Sequence, residues 1–299
     1  MAAISVGGAV TSGFSLIRRE PAAVAIWAVL LFAFFALRIL ANLPVYRAFM
    51  GQLGHGGTPN MQALLPQIQQ AQALGLLLSI GSLALNTMLA CAIFRAVLHP
   101  EQRGFAYLKF GAAELFLFIF TIGVAIAFFI ALLVVMIPVA IIVGLTASQS
   151  PATGASIAVV AGFAVLIAGI YLALRLSLLG PMMVDEGEFR FGEAWSLTRG
   201  KVGALFLIGL MLFVMAIVAE FVVGGVCIGL FVSAAGGLAN MRTFFQQPGP
   251  AILASLGSVL AVGGLFFLVL IAVALPVLFA PWACAYRDLR RSDLAAAFS

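Results

Sequence analysis

Residues 112–147 read AAELFLFIFTIGVAIAFFIALLVVMIPVAIIVGLTA, with Glu114 as the one charge. At 1.5 Å per residue a helix of this length exceeds the roughly 30 Å hydrocarbon core of a bilayer. No soluble fold has a place for it, because such a run cannot present a polar face to water. The rest of the chain agrees: of 299 residues, 64% are hydrophobic and 8% charged, against roughly 25% charged in an average soluble domain. Lipid, which needs no polar covering, is the solvent this composition predicts.

Outward from that run, further apolar stretches lie at about 22–45, 72–98, 155–183, 202–238 and 251–286. The reading is six transmembrane helices. Polar segments between them carry an uneven charge. The N-terminus with Arg18 and Arg19, the stretch Arg95 to Lys109, the stretch Arg175 to Lys201 and the tail with Arg287, Arg290 and Arg291 leave only Arg38, Arg47 and Arg242 for the opposite side. The positive-inside rule then predicts both termini cytoplasmic, in agreement with an even number of spans. The basic pair Arg18 and Arg19 follows rather than precedes the N-terminal residues, which reads as a retained first span instead of a cleaved leader. The net charge of +5 takes a topological meaning, with anionic headgroups and not nucleic acid as its partner. Cys91, Cys227 and Cys284 lie in or at the ends of apolar runs without CxxC spacing, so neither a disulfide framework nor a thiolate metal site is expected.

An internal repeat organises the spans. Before the first, third and fifth stand Phe14-Ser15-Leu16-Ile17-Arg18-Arg19, Ala106-Tyr107-Leu108-Lys109-Phe110-Gly111 and Trp195-Ser196-Leu197-Thr198-Arg199-Gly200. The second and fourth spans end alike, with Arg95 then Pro100 and Arg175 then Pro181. This predicts a single all-α membrane domain over 1–299, built as three pseudo-repeated helical hairpins (about 10–100, 101–185 and 186–290), each introduced by a cytoplasmic interfacial helix. Residues 185–200, which mix Phe189, Trp195 and Leu197 with Glu186, Glu188, Arg190, Glu193 and Arg199, suit such a helix at headgroup level. On the outer side Gly51, Gly54, Gly56 and Gly57 predict a flexible connection, and Pro59 with the glutamines from Gln62 to Gln72 a polar helix leading into span two.

The run from Arg175 to Pro181, then Asp185-Glu186-Gly187, then Ala194 to Gly200 entering a span, resembles the six-helix membrane domain carried by some bacterial glycerophosphoryl diester phosphodiesterases and by its stand-alone relatives. The resemblance implies fold and location. It does not bring hydrolase activity, because in those enzymes the chemistry belongs to a soluble barrel, which takes ~250 residues that this sequence does not have beside its spans.

Candidate chemistry begins with charges inside the spans, since an ionisable group in lipid is costly and marks a pathway, a relay or a structural pair. The repeat alignment puts Arg38 and Glu220 at similar depth, which makes them a candidate intramembrane charge pair; separately solvated groups are the alternative. Glu114 opens span three, where a helix N-terminus favours a carboxylate, and Arg95 and Arg175 approach the same end. These three are a candidate headgroup-binding cluster, or else positive-inside anchors with a local salt bridge. Asn86 and Thr87 in span two are expected to hydrogen-bond across helices, and Gly225 and Gly229, with Gly263 and Gly264, to allow close approach. His55 and His99 fall on opposite sides, and HExxH, GxSxG, Walker A and GxGxxG motifs are absent. The sequence thus predicts no cofactor, no metal and no enzyme. It predicts a bacterial inner-membrane module associated with membrane lipids, with a membrane-protein partner or a homo-oligomer as further options. The alternative is a small-molecule, lipid or ion transporter or channel using Glu220 and Arg38.

Overall fold

The computed structural model describes residues 5–53, 61–240, 243–244 and 249–297. His55, Gly54, Gly56, Gly57, Pro59 and Arg242 lie outside them. The chain is helical, with no strand among the described residues: α1 (Val6–Arg19), α2 (Pro21–Leu53), α3 (Met61–Leu98), α4 (Ala112–Ala147), α5 (Pro151–Leu176), α6 (Leu179–Glu186), α7 (Phe191–Leu197), α8 (Val202–Ala234) and α9 (Gly249–Ala297). Six segments are long and apolar enough to cross a membrane: Pro21–Val45, Leu74–Leu98, Ala112–Ala147, Pro151–Glu186, Val202–Ala234 and Ala261–Arg291. The glutamine-rich segment before span two is continuous with it, forming the first turns of α3.

The predicted surface helices form only in part. α1 is helical over its whole range, with the Ser5 hydroxyl accepting from the Gly8 N–H at 3.2 Å as N-cap and Arg18 and Arg19 in the last turn, where the helix dipole favours cations. Residues 101–111 form no helix. Gly104, Ala106 and Tyr107 all take positive φ there, which for the last two costs of order 1–3 kcal/mol each and ends any regular helix. In the third unit the expected 185–200 helix is split at Gly187 (φ 72°), which caps α6 in the left-handed region and leaves α7 as two turns. Leu16 is buried in α1, Leu108 sits in the turn-rich connection and Leu197 ends α7, and all three pack on the core. The bend at Ser177 and Leu178 has its cause in Pro181, which lacks the N–H that would bond Ser177 and so separates α5 from α6.

Packing concentrates at the end of the bundle where α2, α4 and α8 begin and α3, α6 and α9 finish. From Leu89 to Val97 every residue of α3 is buried, and Ala280, Ala283 and Ala285 of α9 are fully enclosed. Small side chains permit this approach, and since lipid is as apolar as the core, the gain is van der Waals contact rather than transfer from water. A third of the most apolar window of α3 is buried (33%) but none of that of α4 (0%), so α4 faces lipid along its span. The last helix is the hub: α9 packs on α1, α2, α3 and α8.

Ala9, Gly13 and Leu16 form the buried face of α1, and α1 lies against α9. A Cβ on Gly13 would stand 2.5 Å from Val277 Cα and 2.7 Å from the Pro276 carbonyl oxygen, both backbone atoms. Gly13→Ala is therefore expected to cost about 1–3 kcal/mol through forced separation of the two helices. Gly7→Ala, where nothing lies within 4 Å, should be neutral or stabilising. Thermal unfolding in detergent compares them, and equal melting temperatures would contradict the close approach.

Candidate functional site at the basic end of the bundle

The segments that carry most of the basic residues converge at this packed end, held by contacts far apart in sequence. Arg19 donates to the Ala96 carbonyl, the Trp27 indole N–H to the Ala106 carbonyl at 2.9 Å, and Arg103 pairs with Glu20 at 2.8 Å. The unusual backbone of Ala106 and Tyr107 thereby gains a purpose: it turns two successive carbonyls inward, Ala106 to Trp27 and Tyr107 to Arg95. Tyr107 itself is 1% exposed. Burial pushes its phenol up from the usual tyrosine range, so the hydroxyl keeps its proton and donates to the Pro100 carbonyl at 3.3 Å.

Arg95 and Glu114 form the buried ion pair of this end. One guanidinium nitrogen meets Glu114 Oε1 and the other donates to the Tyr107 carbonyl at 2.6 Å, while Glu114 Oε2 accepts the Gly111 N–H at 3.1 Å. Both residues are enclosed, at 6% and 5% exposure. The predicted cluster is thus half formed, because Arg175 has different partners. Its Nε donates to the Tyr171 hydroxyl at 3.1 Å and its Nη1 to the Trp195 carbonyl at 3.0 Å and Thr198 Oγ1 at 3.1 Å. The guanidinium carbon lies 4.7 Å from the Trp195 ring centroid and 5.4 Å from that of Tyr171. Among the described residues no carboxylate pairs with Arg175, although the residue is only 9% exposed.

A further network went unread in the sequence. Arg290 Nη1 meets Asp185 Oδ2 at 2.5 Å and Glu186 Oε1 at 2.7 Å, Tyr286 donates to Asp185 at 3.0 Å, and His99 Nε2 lies 3.1 Å from Asp185 Oδ1. It ties the C-terminal helix to the ends of α3 and α6. The partners are about a hundred residues apart, and the only signal was Asp185-Glu186 facing an inner-side Arg-rich tail.

The intramembrane charge pair is not formed. Arg38 lines a cavity of about 320 Å³ between α2 and α3 with Asn42, Gln72 and Ser79 for company, whereas Glu220 lines one of about 470 Å³ between α1, α8 and α9. Equal depth did not imply equal azimuth: α2 packs on α3 and α9, and α8 on α9, α1 and α5. Neither charge has a side-chain partner among the described residues. Two finer expectations also change. Asn86 and Thr87 donate at 2.8 Å to the Ser82 and Leu83 carbonyls of their own helix instead of crossing to another, and a Cβ on Gly225 or Gly229 would meet nothing within 4 Å among the described residues, so no close helix approach is seen at this small-residue stripe among them. The three cysteines are free. Among the described residues no three His, Cys, Asp or Glu side chains converge as a metal-binding group.

No protein-family model, no curated protein and no solved structure matches this chain. The fold defines its class unaided: six apolar helices make it a multi-pass membrane protein.

Proposed function

We propose that the protein is a non-catalytic module of a bacterial inner membrane, with both termini cytoplasmic, whose basic end associates with anionic lipid headgroups. The observation that carries this reading is Arg175. Its Nε and Nη1 are held by Tyr171, Trp195 and Thr198 and Trp195 covers its face, while Nη2, not among the buried atoms left unpaired, stays open with no carboxylate beside it among the described residues. A lipid phosphate supplies the missing anion, and Arg and Trp at headgroup depth suit that contact. At the same end of the bundle Arg18, Lys109, Arg199 and Arg291 are exposed, as are Phe105 and Phe110, a combination of charge and apolar bulk that fits an interface. Arg95 is committed to Glu114 and belongs to the scaffold.

The three-unit repeat belongs to the same proposal and draws support from a shared contact. Arg95 near the end of span two grips the carbonyl of Tyr107, one residue before Leu108, and Arg175 near the end of span four grips that of Trp195, two before Leu197. In each case the second helix of one hairpin holds the segment that introduces the next. The test is lipid-dependent stability. Wild type should melt higher in nanodiscs of phosphatidylglycerol than of phosphatidylcholine, and Arg175→Gln should lose most of that difference. An undiminished difference in Arg175→Gln would reject the headgroup reading.

A further inference from the structure

Glu220 stands apart from everything the basic end explains. Among the described residues it is the one charged group lining the cavity between α1, α8 and α9, of about 470 Å³, otherwise walled by side chains such as Leu212, Ala216, Phe267 and Leu270. Its place on α8 is not accidental to that cavity. Leu212, Met215, Ala219 and Val223, buried or half-buried, line it at helical spacing, and Glu220 stands exposed beside Ala219, at the edge where the cavity opens. The chain pairs the acid in the first turn of α4, Glu114, with Arg95 and a backbone N–H, but gives Glu220 no partner among the described residues. An acid in a membrane span is costly unless paired, and a volume of this size lies within the range of small-ligand sites, about 300–1,000 Å³.

We infer that this cavity binds a compact lipophilic cation, an ammonium or phosphonium centre on an apolar body, with Glu220 as its counter-ion. The walls take the apolar body and the carboxylate takes the charge. Depth favours a diffusible molecule over a resident lipid. Glu220 lies roughly 27 Å along the helix from Val202 and roughly 21 Å from Ala234, well inside the hydrocarbon layer. A phospholipid amine would have to leave the headgroup plane to reach it.

The experiment uses the full chain in phosphatidylcholine nanodiscs with two probes of nearly equal size and shape and opposite charge, tetraphenylphosphonium and tetraphenylborate. Saturable binding of the cation and not the anion is expected, weakened about tenfold or more in Glu220→Gln, which removes the charge at constant volume. Gly224→Phe provides an independent arm. Gly224 lines the cavity and a Cβ there meets nothing within 4 Å, so a ring placed there is expected to occupy cavity volume and abolish binding with the melting temperature retained. Equal uptake of both probes, or cation binding unchanged in both variants, would overturn the assignment. So would loss of cation binding when phosphatidylethanolamine replaces phosphatidylcholine, which would give the site to a lipid amine.

Discussion

Arg95→Ala is expected to destabilise the protein by about 3–5 kcal/mol, the usual consequence of leaving one member of a buried ion pair uncompensated. The substitution strands Glu114, 5% exposed, with only the Gly111 N–H, and leaves the inward carbonyl of Tyr107 without a donor. Glu114→Gln should cost less, because the amide oxygen can still accept from Arg95 and Gly111. The double variant Arg95→Met with Glu114→Leu should be more stable than the sum of its single losses predicts, since burying neither charge avoids the desolvation that the pair must offset. Equilibrium unfolding in mixed micelles compares wild type, Arg95→Met, Glu114→Leu and their double variant as one cycle, with Arg95→Ala and Glu114→Gln beside them. Additive losses below about 1 kcal/mol, the magnitude of a solvent-exposed pair, would show that the pair is not buried in the membrane-embedded protein.

The second large effect is expected at Trp27. Its side chain is fully buried and its indole N–H holds the Ala106 carbonyl, so Trp27→Ala removes a large packed group and should cost about 3–5 kcal/mol. Trp27→Phe separates the two contributions: it keeps most of the volume but leaves a buried carbonyl unpaired, for about 1–3 kcal/mol. The connection before α4 should loosen in both variants, so hydrogen exchange at residues 104–108 should rise well above that of α9. Protection unchanged in Trp27→Ala would mean that Trp27 does not organise this connection.

The architecture was largely legible because span detection depends on a local quantity. The apolar run 112–147 coincides with α4, and the runs at 22–45, 72–98 and 202–238 lie within a few residues of the observed spans. Charge asymmetry also gathered the right segments, which meet at one end through pairs such as Arg19 with Ala96 and His99 with Asp185. What periodicity could not supply was azimuth. Arg38 and Glu220 were matched by depth, yet they open onto different cavities. Leaflet alone groups Arg175 with Glu114, yet it turns to Trp195 and Thr198, which lie 20 and 23 residues on, beyond α6. The interfacial segments failed differently. The repeat predicts a surface helix before span three and amphipathic composition one at 185–200, but tertiary demands decided otherwise, with Ala106 and Tyr107 held at positive φ to feed carbonyls to Trp27 and Arg95 and with Gly187 ending α6. Backbone geometry of that kind leaves no pattern in side-chain polarity.

The central claim is a six-span bundle whose basic end faces the cytoplasm, and side-selective cysteine labelling tests it most directly. In a variant lacking Cys91, Cys227 and Cys284, single cysteines replace Lys109, Arg199, Ser148 or Leu238, and a membrane-impermeant maleimide is applied to right-side-out and inverted vesicles. The account predicts that Lys109→Cys and Arg199→Cys label only in inverted vesicles, and Ser148→Cys and Leu238→Cys only in right-side-out ones. Labelling of Lys109→Cys and Ser148→Cys from the same side would contradict the crossing of α4, and a complete reversal of the pattern would contradict the orientation.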